Sequence, residues 1–204
     1  PLLMREFSIS YGNNHLQQMR LLFRKYIPVL YSIAAYFACF IAVESNKIIY
    51  LFGGKIFNPA IMPVAIMAFY PVHQTYGQLS GSVFFATGQT AIYRNIGILF
   101  ALLGLPITYF MIAPINMFGL GSGALGLAVK MVAIQFMAVN TQLYFNAKYL
   151  GLSFMKYFWH QIVCVALLLG VAVFSSLIVG QIRIIQNTFM PSLILSGTIY
   201  TIIV

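Results

Sequence analysis

The chain has 204 residues, 61% of them hydrophobic and only 6% charged, with a mean hydropathy of +0.92 and a formal net charge of +9. A soluble domain carries about 25% charged residues, so this chain has too little charge to cover a water-facing surface, and its class is an integral membrane protein of several helices. The positive charge does not point to nucleic acid, because the basic residues stand singly between apolar runs and form no patch.

The chain begins at Pro1 without a signal-peptide pattern and ends inside the apolar run Tyr200-Thr201-Ile202-Ile203-Val204, so both ends read as cut from a longer protein. Pro1 to Phe7 reads as the last turn of a span, broken by Gly12-Asn13-Asn14. Asn14 with Gln17 three positions later has the spacing of a capping box. Beyond it, Leu16, Met19, Leu22, Phe23 and Tyr26 recur at helical spacing opposite Gln17, Gln18, Arg20, Arg24 and Lys25. Residues 1–25 are therefore expected to form a span end and an amphipathic linker helix that lies at the membrane surface and runs into the first span, its basic residues near anionic headgroups. Residues 26–204 are expected to form a transmembrane bundle.

The first complete span is expected over about 26–51. Glu44 and Lys47, three apart near its far end, are placed to pair, and an interfacial ion pair is favoured over a proton relay. Gly53-Gly54-Lys55 and Asn58-Pro59 make a turn. The second span, about 61–86, contains Pro63 and Pro71, which predict a kink near Met67 to Tyr70. It also holds the most polar stretch of any span. His73, Gly77 and Gly81 form one row, Gln74, Gln78 and Ser82 the next, and Val72, Leu79 and Val83 an apolar face. In a bilayer such a face is either a close helix-packing seam or the wall of a watery cavity.

The third span covers about 96–115, with Arg94 just before it and a glycine-rich turn after it at 116–122. The fourth, about 123–147, contains Lys130, Gln135, Asn140, Thr141 and Gln142. Lys130 lies about two turns, or roughly 10 Å, past the start of that helix, so its ammonium must either snorkel to the interface or face water. The fifth span, about 157–179, opens with Lys156, Tyr157, Trp159 and His160, the aromatic and basic pattern of a water interface. A sixth, truncated span covers about 190–204. Cys39 and Cys164 lie within spans without a CxxC partner or a metal-ligand set, and read as buried, inert thiols. Alternate loops place Arg5, Arg20, Arg24, Lys25, Arg94, Lys148 and Lys156 on one side and Lys47, Lys55 and Arg183 on the other. Seven against three predicts that the first side, including the 8–25 segment, is cytoplasmic.

The sequence has no GxxxxGK loop for ATP, no HExxH and no GxSxG. Glu6 and Glu44 are its only acidic residues, which disfavours a glycosidase pair or an acidic metal site. Neither an enzymatic activity nor a cofactor is expected.

Several motifs follow one another in a recognisable order: PLLMREFS, the polar linker, KIIYLFGGKIFNPA, PVHQTYGQLSGSVFFATGQT and NMFGLGSGALGLAVK. The order resembles the polysaccharide biosynthesis proteins, the O-antigen and exopolysaccharide flippases of the multidrug/oligosaccharidyl-lipid/polysaccharide exporter superfamily. The resemblance implies a bundle of about fourteen helices in two pseudo-symmetric lobes, of which this chain is most of the second. It also implies alternating access without ATP, in a bacterial or archaeal plasma membrane. The implied partner is a polyprenyl-diphosphate-linked oligosaccharide, with a glycan polymerase or glycosyltransferases as further candidates. On this reading His73, Gln74, Gln78 and Lys130 are the expected phosphate or sugar contacts, and Arg24 and Arg94 attract the headgroup at the cytoplasmic entrance. A cation-coupled small-molecule exporter of the same superfamily and a non-transporting membrane subunit are the alternatives.

Overall fold

A computed structural model of the chain describes residues 2–182 and 189–204, so Arg183 lies outside the described residues. Every regular element described is helical: α1 (Leu2–Gly12), α2 (Leu16–Val43), α3 (Ser45–Gly53), α4 (Ile61–Met67), α5 (Tyr70–Ala86), α6 (Thr90–Ile112), α7 (Gly123–Leu150), α8 (Phe154–Gln181) and α9 (Phe189–Ile203). Short 3-10 turns at Lys55–Ala60 and Ile115–Met117 complete the path. Five stretches are long and apolar enough to cross a bilayer: Leu16–Val43, Lys55–Ala86, Thr90–Ile112, Gly123–Leu150 and Phe154–Gln181. The chain is an all-α bundle of a multi-pass membrane protein.

The amphipathic stretch before residue 26 runs into the first span without a break. Met19, Phe23, Ile27, Tyr31 and Ala35 recur every four residues across the expected boundary, and all five are buried. One unbroken helix of 28 residues, about 42 Å long at 1.5 Å per residue, therefore starts at Leu16. The capping box does not form. His15 precedes the helix without a side-chain cap, while Asn14 adopts φ +57° and turns the chain out of α1. There its N–H reaches the Tyr11 carbonyl at 2.9 Å, the role an asparagine plays just past a helix end.

The first span stops at Val43, short of residue 51. Glu44 breaks it, and its carboxylate accepts from Lys47 Nζ at 2.7 Å and from Ser196 Oγ at 2.6 Å. The expected ion pair is present but enclosed: the Glu44 side chain is 1% exposed because α9 covers the break. Aromatic contacts fasten that cover, Tyr50 stacking on Phe189 at 4.0 Å and Tyr36 on Tyr200 at 4.7 Å.

The second span bends where Pro63 and Pro71 predict. α4 ends at Met67 and α5 starts at Tyr70, with Pro71 in its first turn, where a missing N–H leaves no helical carbonyl unpaired. Gly88, at φ +72°, closes the hairpin after α5. α6 then starts at Thr90, earlier than expected, and takes Arg94 into its second turn.

The core lies between α1, α2, α5, α7 and α8, where Phe7, Phe23, Tyr31, Tyr76, Leu143 and Leu150 are all buried. Polar links cross it. Asn146 Nδ2 donates to the carbonyl and the hydroxyl oxygen of Ser80, both at 2.7 Å, and the Asn140 and Gln161 amides pair face to face, Gln161 Nε2 donating to Asn140 Oδ1 at 2.9 Å. With such partners these buried amides join α5, α7 and α8. Outward rows such as Leu102, Leu105, Leu167 and Leu177, each more than 60% exposed, give the bundle an apolar outer surface. Cys39 is buried; Cys164 is only half-buried, its Sγ 3.4 Å from Ser32 Oγ.

Candidate functional site

The two polar rows of α5 have different fates. The glycine row is a seam: a methyl group added at Gly77 would stand 2.8 Å from Val139 Cγ2 on α7, and one at Gly81 would stand 3.0 Å from the Tyr93 ring on α6. Only glycine lets both neighbours come that close. His73, in the same row, is buried with this seam, its ring 5.0 Å from Phe136 and 6.2 Å from Tyr31. Its Nδ1 has no hydrogen-bond partner. His73 is thus withdrawn from the residues expected to contact substrate.

The glutamine row is open. Gln74 and Gln78 are exposed and line a hollow of about 200 Å³ with Tyr70, Tyr93, Gln135 and Gln142. A second hollow of about 320 Å³ shares Tyr70, Tyr93, Gln135 and Gln142 with it and extends along α6 and α7 past Gly97 and Gly104 to Lys130. The two form one groove between α5, α6 and α7. Gly77 is its floor, where Gln142 Oε1 and Gln135 Nε2 come within 3.6 and 3.8 Å of the position a side-chain methyl would take.

Lys130 lies at the far end of this groove, against the bare backbone of Gly104, where an added methyl would meet Nζ at 3.3 Å. Among the described residues its one hydrogen-bond partner is the weak acceptor Met131 Sδ at 3.9 Å. Among the described residues no carboxylate pairs with it, Glu44–Lys47 being the only ion pair there. Gln142 Oε1 is likewise buried without a partner. The groove thus offers a cation, several amides and two phenols, and among the described residues no strong hydrogen-bond partner satisfies them. By contrast Asn140 and Thr141, on other faces of α7, and Asn146, one turn past Gln142, are bonded within the bundle.

The structure therefore brings together three of the four expected contact residues, Gln74, Gln78 and Lys130, and turns His73 away. It does not bring the two entrance arginines together. Arg94 follows Tyr93 beside the groove and donates to Asn95 Oδ1 at 3.5 Å, whereas Arg24 faces a different hollow between α2 and α8. Sequence reading overlooked Gln135, Gln142, Tyr70 and Tyr93 as site residues. Gln135 and Gln142 are seven apart, two turns along one helical face, and that spacing was the available signal. No protein-family model, curated protein or solved structure matches the chain.

Proposed function

We propose that this chain is the C-terminal lobe of a flippase that carries lipid-linked oligosaccharide or polysaccharide precursors across a plasma membrane, by alternating access and without ATP hydrolysis. The observation that carries this reading is the groove of Gln74, Gln78, Gln135, Gln142, Tyr70 and Tyr93 that ends on unpaired Lys130. Amides and phenols supply both donors and acceptors, the mixture that sugar hydroxyls need. Lysine is a point-charge partner for phosphate. Moving a charged, sugar-bearing headgroup through hydrocarbon carries a prohibitive desolvation cost. A polar track between helices lowers that cost while the polyprenyl tail stays in lipid. Arg94 stands beside the track at the basic, cytoplasmic end and would attract the diphosphate there.

Two observations weigh against the alternatives. An ion-coupled exporter needs a titratable acid open to its path, and Glu44 is enclosed by Lys47 and Ser196, away from the groove. A non-transporting subunit would bury its intramembrane amides in helix contacts, and Gln74 and Gln78 are exposed to a hollow. The test is reconstitution of the full-length protein into vesicles with a fluorescent polyprenyl-diphosphate oligosaccharide. The expected result is movement of the label between leaflets at a rate that protein-free vesicles do not reach. Efflux of small cationic drugs with no movement of the glycolipid would contradict the proposal.

A further inference from the structure

The chain's basic residues do not all serve the groove. Arg24 on α2 and Lys156 in the first turn of α8 flank a separate hollow of about 490 Å³, completed by Ser153, Tyr157 and His160. It shares no lining residue with the groove. Arg20 stands one turn before Arg24, its guanidinium packed on Gly151 so that an added methyl there would meet it at 3.0 Å, and its Nε is buried without a partner. Three cations thus gather where α2 and α8 begin.

The protein has almost nothing with which to balance them. Of its two acidic residues, Glu44 is held by Lys47, and Glu6 forms no ion pair among the described residues. Ser153 makes no capping bond to the first turn of α8, so its hydroxyl is free to face the hollow. An arginine fork, an ammonium and hydroxyl donors around one space, with no carboxylate, match the several acceptor oxygens of a phosphate.

The depth of the hollow points to the source of that phosphate. Tyr26, two residues from Arg24, and Trp159, three from Lys156, are exposed on the outer surface of the same two helices. Exposed tyrosine and tryptophan mark the headgroup level of a bilayer. Apolar side chains exposed beside them, Leu21 at 64% and Met155 at 57%, offer a surface for acyl chains.

We infer that the hollow between α2 and α8 binds a phosphate group, that of an anionic phospholipid in the leaflet at the basic end. This inference does not rest on the transport reading and stands if the groove carries something else.

The test uses the full-length protein in phosphatidylcholine nanodiscs, titrated with short-chain phosphatidylglycerol and followed by native mass spectrometry. The variants are Arg24→Gln/Lys156→Gln and, as a control at the opposite end, Lys55→Gln. Loss of two charge-assisted contacts is expected to weaken phosphatidylglycerol binding at least about tenfold. The control variant should bind like wild type. A parallel titration with inorganic phosphate separates the sources. Phosphatidylglycerol binding that the double variant loses, and that inorganic phosphate does not displace, supports the lipid source. Inorganic phosphate binding lost in the double variant, with no preference for phosphatidylglycerol, keeps the phosphate site but overturns its lipid source. Wild type and double variant binding both probes equally overturns the site. Both side chains are exposed, and the single variant Lys156→Gln gives the same comparison if the double variant fails to fold.

Discussion

Lys130→Gln is expected to reduce glycan export by about tenfold to a hundredfold, at unchanged protein level in the membrane. The side chain lies in the groove with no carboxylate partner, so its charge is available to a ligand and is not spent on holding the bundle together. A hydrogen bond to a charged group contributes about 1.5–3 kcal/mol, and each 1.4 kcal/mol or so is a factor of about ten. Removing the charge while keeping a polar side chain should therefore lower transport without unfolding the protein. Lys130→Arg should retain most of the activity, because the guanidinium keeps the charge and the side chain borders an open groove. Cell-surface glycan, measured against immunoblotted protein, checks both variants. Equal export by Lys130→Gln and wild type would remove this residue from the site.

Gly77→Val is expected to destabilise the bundle and to close the groove. The first added carbon would stand 2.8 Å from Val139 Cγ2. Val139 is 1% exposed and β-branched, so its methyl groups have no free rotamer into which to retreat. Overpacking of this kind costs about 1–3 kcal/mol, visible as a lower unfolding temperature of the purified protein in detergent. The floor of the groove would rise towards Gln135 and Gln142, so export should fall as well. Adding Val139→Ala restores space on the α7 side, and the double variant should recover most of the lost stability. If Gly77→Val melts at the wild-type temperature, α5 and α7 are not in close contact at Gly77.

How far the sequence reveals this arrangement depends on the range of each interaction. Spacing along one helix is local, so the row of Gln74 and Gln78, the row of Gly77 and Gly81, and the Glu44–Lys47 pair are all legible without a structure. What each row meets is set by other helices. His73 and Gln74 are adjacent in sequence, and no local rule says which of them faces a hollow and which faces Phe136. The contact between Glu44 and Ser196 joins positions 152 residues apart, and for that reason an ion pair expected at an open interface is enclosed.

Helix boundaries failed where a local signal had two uses. Asn14 reads equally as the cap of the helix that follows or as the left-handed residue ending the one before, and it takes the second role. The polar residues near the start of α2 mark its outer end, and the buried row from Met19 to Ala35 continues through them and carries the helix into the core. Arg24 and Arg94 share a loop side by simple counting, which says nothing about distance across the bundle. Proline behaved as physics requires: Pro71 is the second residue of α5, just past the bend, where its missing donor costs least.

The central claim is that water reaches the groove between α5, α6 and α7, deep among apolar helices. Thiol accessibility tests it most directly. With Cys39 and Cys164 replaced by alanine, single cysteines are placed at Gln78 and Ala138 in the groove and at Leu102 on the outward face of α6. A membrane-impermeant thiol reagent, which reacts with the hydrated thiolate, is applied to both sides of the membrane. Labelling of Gln78→Cys and Ala138→Cys at least about tenfold faster than Leu102→Cys is the predicted result. Groove positions that label no faster than Leu102→Cys would mean that the space is dry, and the account would be wrong.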